Sequence, residues 1–468
     1  MFRPTATALV ALLALGAAAQ QEREATSSAA EREAVSITVY PNDLALIKER
    51  RRVVLPGGLT RLSLREVSAQ MLPETALLRA ASGAAVTALE QSFDFDLLTP
   101  QKLLEKYLGQ EVTVLRSHPV SGEERAEKAT VLSTQNGTVL RFADRIETGV
   151  PGRLAFGSVP PSLRDRPTLS VLLEAAAATQ SLELSYLSTG LAWKADYVAH
   201  LSPDGRQLDL SGWVTLSNRS GSAYHDARLQ LVAGNVNRAT QDPRARAMLL
   251  AAPSARTGPE VRQESLLDHH LYSFERPTSI ADNQTKQLAL LSASAVPVRR
   301  EYLLEGPDHP YRERAGVIGQ KQRPAVFIEF DNRGGALGKP LPAGVVRVYA
   351  RDSQGASQFA GEDRIDHTAR DDTVRLRLGE AFDIHADRRQ LSYRKLGDNA
   401  AESSYRIDLR NAKDEKVTVR VQENFPGDWE VTQESSRHQR ESARHASWRV
   451  DVPARGGSVL EYTVRVRW

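Results

Sequence analysis

Val459–Trp468, VLEYTVRVRW, decides the fold class. Leu460, Tyr462, Val464, Val466 and Trp468 fall on one phase of a period of two. Glu461, Thr463, Arg465 and Arg467 fall on the other. That alternation is a half-buried strand, and a one-residue slip would turn every apolar side chain into water. SWRVDV, Ser447–Val452, alternates in the same way, and Arg455-Gly456-Gly457 between the two reads as a hairpin turn.

Working outward, YRIDLRN (Tyr405–Asn411) and KVTVRVQE (Lys416–Glu423) repeat the pattern. So do PAVFIEFDN (Pro324–Asn332), VVRVYARD (Val345–Asp352) and TVRLRLGEAFDI (Thr373–Ile384), with turn residues between them. Antiparallel sheets with one wet face produce this texture. It predicts a mainly β chain whose region 170–468 is a large, immunoglobulin-like antiparallel β-sandwich. LDLSGWVTLS, Leu208–Ser217, sets Leu208, Leu210, Val214 and Leu216 on one face and Trp213 on the other. Arg238–Ser265 has no sustained period and is predicted to be one long mobile loop.

The N-terminal region 35–169 reads as a second β domain. VSITVY (Val35–Tyr40) alternates, and Pro56-Gly57-Gly58 between two apolar runs reads as a hairpin. One short helix is predicted in LLTPQKLLEKYLGQ. There Thr99 caps, Pro100 takes the first helical position, Gly109 follows the last turn, and Leu103, Leu104, Tyr107 and Leu108 share a face. Short strands at 111–115, 129–133 and 138–142 follow, with Asn136-Gly137 as a type I′ hairpin signal. They predict a small barrel inserted at about 109–159.

The first 19 residues carry Arg3, an apolar run from Ala8 to Gly16 and small residues Ala17-Ala18-Ala19 before Gln20. That is a secretory leader pattern, too short for a membrane-spanning helix of ~20 residues. The expected location is periplasmic or secreted, with no transmembrane segment once the leader is removed. Residues 20–34, polar and small, read as a disordered linker. Cysteine is absent, so the expected fold relies on its core alone. The 61 basic and 58 acidic residues give +3 over 468, and Arg50-Arg51-Arg52 is the one basic triplet. Nucleic-acid binding needs a clustered basic face, so no nucleic-acid partner is expected.

No GxSxG, HExxH, GxGxxG or GxxxxGK[ST] pattern occurs. His269 and His270 are adjacent, and on a strand they would point to opposite faces. Asp363, Asp366 and His367 could ligate a metal or work as an acid–base pair, but their charged surroundings read as an exposed loop. Asp94 and Asp96 share a strand face. No cofactor, metal or catalytic residue is expected. Trp193 and Tyr197, beside Lys194 and Asp196, could stack a sugar or a peptide, or could anchor the core. In HLYSFERPTSIADNQTKQLALL (His270–Leu291) a strand runs to Arg276-Pro277, a polar bend follows, and a strand resumes. The bend could reach a partner or serve only as a connector. The candidate ligand-binding residues are therefore Trp193, Tyr197, Arg276, Asp282, Asn283 and Lys286.

His270–Leu291 closely resembles a motif of a bacterial envelope family whose shared domain is called a domain of unknown function and also occurs in mucoidy inhibitor A-like proteins. GLAWKADYVAHL (Gly190–Leu201), GWVTLSNRSGSAYHDARLQLVAGNVNR (Gly212–Arg238), YRIDLRN and NFPGDWEV (Asn424–Val431) look like other segments of it. The resemblance spans roughly Ser170 to Trp468, weaker back to Val35. It implies no known reaction, cofactor or catalytic residue. The resulting expectation is an exported binding or scaffolding module of the cell envelope, with protein or glycan as partner and an unknown oligomeric state. The alternatives are a hydrolase of envelope polymer using a carboxylate pair such as Asp363 and Asp366, and a purely structural or stress protein.

Overall fold

The structure is a computed structural model. It describes residues 22–81, 83–94, 96–118, 122–160, 162–234, 261–266, 269–306, 311 and 313–468. The expected leader, 1–19, lies outside these residues, as does 238–260 of the expected mobile loop. The last part of that loop is ordered: Val261–Leu266 is a strand antiparallel to His269–Phe274.

The chain is mainly β, as its alternation predicts; the described residues hold one α-helix, at Pro100–Lys106, and six sheets. Thr99 accepts a hydrogen bond from the Lys102 N–H at the helix start. Leu104 and Tyr107 are buried, whereas Leu108 is exposed. They pack on the insert, where Val112, Val114, Val131 and Leu140 form a separate small core. The insert is a correction to the expected barrel. Its five strands form an open sheet whose edge strands, Ile146–Thr148 and Arg153–Ala155, do not meet. Asn136 and Gly137 both take positive φ at the predicted hairpin.

The first large core lies between a four-stranded and an eight-stranded sheet. Leu44–Leu55 lies in the larger sheet and Gly58–Arg65 in the smaller, so Pro56-Gly57-Gly58 turns a corner between sheets and makes no hairpin. Thr168–Ala175 and Ala178–Ser188 turn the same corner beside it. A Cβ at Gly57 would lie 2.8 Å from the Ala177 nitrogen, which is why a glycine with φ +84° stands there. Strands from both sides of 169/170 share these sheets: Leu44–Leu55 pairs with Ala178–Ser188, and Arg32–Tyr40 with Tyr224–Ala233.

The expected linker 20–34 is ordered from Glu22 onward. Arg23–Ser27 is a parallel edge strand beside Gly58–Arg65. Ser28 and Glu31 close a capping box, and Arg32 ion-pairs with buried Glu49 at 3.0 Å. An edge strand needs main-chain partners more than apolar side chains, so composition alone hid it.

Two further cores fill the C-terminal part. One lies between a five-stranded sheet (Ile384–Gly397, Ala400–Asn411 and Gly456–Arg467 among its strands) and a six-stranded sheet containing Val417–Asn424 and His445–Val452. This is a two-sheet sandwich, and Trp448, Tyr405, Tyr462 and Val464 fill it. Gly456–Arg467 and His445–Val452 sit in opposite sheets, so the predicted Arg455-Gly456-Gly457 hairpin is also a crossing. The other core lies under one more five-stranded sheet, called here the platform. Its strands in spatial order are Gln284–Pro297, Gln207–Asn218, Leu191–Leu201, Gly344–Arg351 and Ser357–Ile365. Tyr197, Leu210, Val346 and Val348 bury its inner face against Ile328, Phe330 and Leu376.

Candidate binding face

The platform buries one phase of its alternation, so the other phase faces solvent. On Leu191–Leu201, Ala195, Tyr197 and Ala199 are buried, while Lys194 and His200 are exposed. On Gln207–Asn218, Trp213 is 39 % exposed although Val214 and Leu216 beside it are fully buried. Phe359, on the edge strand, is 58 % exposed. Registry puts these outward residues in rows: Asp196 faces Trp213, His200 faces Asp209 and Tyr349, and Tyr349 faces Phe359.

The middle of the face carries a chain of charges. Lys194 Nζ lies 3.4 Å from Asp196 Oδ2, Arg347 Nη1 lies 3.3 Å from Asp196 Oδ1, and Arg347 Nε lies 3.2 Å from Glu362. Thr215 Oγ1 donates to Asp196 at 3.0 Å. Burial by itself raises the Asp196 carboxyl. The hydrogen bonds from Thr215 and Arg347 and the Lys194 charge outweigh it and hold the carboxyl below its usual range.

One end of the face carries rings. His200 and Tyr349 stack, with centroids 5.4 Å apart and planes at 28°. Phe359 stands edge-on to Tyr349 at 5.8 Å and 70°. Beside them opens a cleft of about 280 Å³ lined by His200, Gln207, Asp209 and Arg351 among others. Asp209 is anchored there, accepting from the Ala295 N–H at 2.9 Å.

The sequence-predicted candidates sit elsewhere. Trp193 packs between two cores, 6.5 Å from the ring of Tyr272. Tyr197 is fully buried and donates to the Pro342 carbonyl at 2.8 Å, and burial pushes its hydroxyl far above its usual range. The two share the inner phase of their strand, so neither reaches the solvent face. Asp282 accepts from the Gly221 N–H at 2.9 Å, and Asn283 takes φ +56° beside it. Lys286 Nζ donates to the Ser279 carbonyl at 3.0 Å, and Arg276 is exposed. The bend therefore ties itself to its neighbours as it passes between sheets: His269–Phe274 belongs to the eight-stranded sheet and Gln284–Pro297 to the platform.

Asp363 and Asp366 do not form a pair. Asp363 accepts from the Arg364 and Arg377 N–H groups at 2.8 and 2.7 Å, and Asp366 is exposed. His367 accepts from the Ala343 N–H at 3.1 Å, and burial holds its ring below the usual histidine range, against the pull of Asp366. Among the described residues no three His, Cys, Asp or Glu side chains are placed to hold a metal. Trp213 and Tyr349 are visible in the sequence only as apolar residues in the polar phase of their strands, and Phe359 lies in a strand, Ser357–Ile365, part of which reads as an exposed loop.

A family model described as a domain of unknown function (DUF4139) matches residues 182–468, which include the whole platform. No curated protein matches the chain.

Proposed function

The chain belongs to the DUF4139 family, and we propose that it is an exported, non-catalytic binding or scaffolding module of the cell envelope that works through the outer face of the platform. The observation that carries this reading is the company the exposed rings keep. Trp213 and Phe359 face solvent on a sheet whose other side is packed at Tyr197, Leu210, Val346 and Val348, around a chain of paired charges. Groups held in place by strands lose little freedom on binding, so the face is preorganised for a ligand. Export rests on the leader pattern in residues 1–19.

Two measurements test the proposal. Fractionation should recover the protein outside the cytoplasm, starting near Gln20, and a cytosolic chain that keeps Met1 would reject the location. Co-sedimentation with the isolated envelope fraction should be lost in the Trp213→Ala/Phe359→Ala double variant with the fold kept. Unchanged sedimentation of that variant would reject the face.

A further inference from the structure

The ends of this face differ, and the difference bears on the chemistry of the ligand. The fully buried centres of protein interfaces are depleted in charge. Here Lys194, Asp196, Arg347 and Glu362 occupy the middle of the face. An apolar protein surface laid over them would strip their water without replacing its hydrogen bonds, which is costly. A ligand rich in hydroxyls replaces those bonds as it binds. The rings at one end offer flat apolar faces of the size of a sugar ring, two of them open to solvent at His200 and Phe359.

The two charges at that end are not paired with each other. Arg351 follows Tyr349 on the outward phase and lines the cleft, and it has no carboxylate partner among the described residues. Asp209, on the far wall, is fixed by the Ala295 N–H and keeps a second oxygen to accept from a hydroxyl. A guanidinium is built to hold a carboxylate in a forked pair. Resting on the reading of this face as a binding surface, we propose that its His200–Tyr349–Phe359 end takes an acidic sugar residue, a pyranose stacked on the rings with its carboxylate on Arg351 and a hydroxyl on Asp209.

The test is calorimetric titration of the full mature chain, in 0.15 M salt as a fixed condition (roughly physiological ionic strength), with an oligogalacturonate and a neutral gluco-oligosaccharide of equal length. The acidic sugar should bind at least about tenfold more tightly, the size of one charged hydrogen-bonded contact. Arg351→Ala should erase that difference, Phe359→Ala should weaken both sugars, and Arg410→Ala, on a different sheet, should change neither. Equal binding of both sugars, still weakened by Phe359→Ala, would overturn the acidic class while leaving the face intact. Equal losses in Arg351→Ala and Arg410→Ala would show diffuse charge attraction and overturn the site. No binding of either sugar would overturn the inference, and the envelope sedimentation result would then judge the face separately.

Discussion

Glu49 and Glu423 are both fully buried carboxylates, and their surroundings move them in opposite directions. Burial would raise Glu49, but Arg51 at 2.5 Å and Arg32 at 3.0 Å, with a hydrogen bond from Tyr186, hold it below its usual range. Glu423 has one cation, Arg388 at 3.0 Å, and burial wins, so its carboxyl is raised. The signs of their pH dependence follow. A depressed carboxylate lends stability above its unfolded value of ~4.3 and loses it as pH falls through the folded value. In Glu49→Gln, Arg51 stays buried without its counter-charge, at a cost of about 3–5 kcal/mol near neutral pH. That cost should shrink below about pH 4, as urea unfolding of both proteins would show. A raised carboxylate behaves oppositely: its contribution is full below ~4.3 and is lost as pH rises through the folded value. Arg388→Met removes the one cation opposing that rise. Its stability should fall more steeply than the wild type's as pH rises above ~4.3, by up to about 1.4 kcal/mol per pH unit. A flat difference above that pH would mean that Arg388 does not set the charge of Glu423. At the bend, Asp282→Ala should cost about 1 kcal/mol through the lost Gly221 hydrogen bond, and envelope sedimentation should not change.

At the scale of elements, Gly456–Arg467 lies between Ala400–Asn411 and Asp428–Glu434. Val464 and Val466 are buried at 0 and 1 % exposure, so deleting Val464–Trp468 removes core and unpairs a neighbour. Each large side chain contributes ~1.5–3 kcal/mol against a total near 5–15. Folded protein should not accumulate, and a truncated chain that keeps the full-length melting temperature would contradict the assignment. Deleting residues 22–34 should also lower the melting temperature, because it removes the parallel edge strand and strips Arg32 from Glu49. These two strands show what the sequence made legible. Alternation reports which side chains are buried, so Leu460, Tyr462 and Val464 were readable as core. It does not report which strand is the partner, so Pro56-Gly57-Gly58 and Arg455-Gly456-Gly457 read as hairpins where the chain in fact changes sheets. The same gap hid the candidate face. Trp193 and Tyr197 stand out in the sequence by their bulk, and they share the buried phase. Trp213 was placed correctly opposite its apolar neighbours, but only the assembled platform shows that its side of the sheet stays open. Tyr349 and Phe359 meet only because distant segments pair.

For the whole molecule, the insert has a core of its own. Its core shares no residue with the others, and the strands flanking it are direct neighbours, with Asp94 opposite Thr168. Replacing residues 95–167 by Asn-Gly should therefore close a two-residue hairpin. The remainder should unfold cooperatively and keep its envelope binding, and loss of either would mean that the insert supports the body. The platform carries the central claim, since it joins exposed rings to a charge chain on a packed sheet. Hydroxyl-radical footprinting of the mature chain, with and without its envelope fraction, tests that most directly, because Trp, Tyr and Phe side chains report their own exposure. The account predicts that the envelope fraction protects Trp213, Tyr349 and Phe359 and leaves Phe382, 78 % exposed on a bend outside the platform, as reactive as before. Protection of Phe382 with Trp213, Tyr349 and Phe359 unchanged would contradict it.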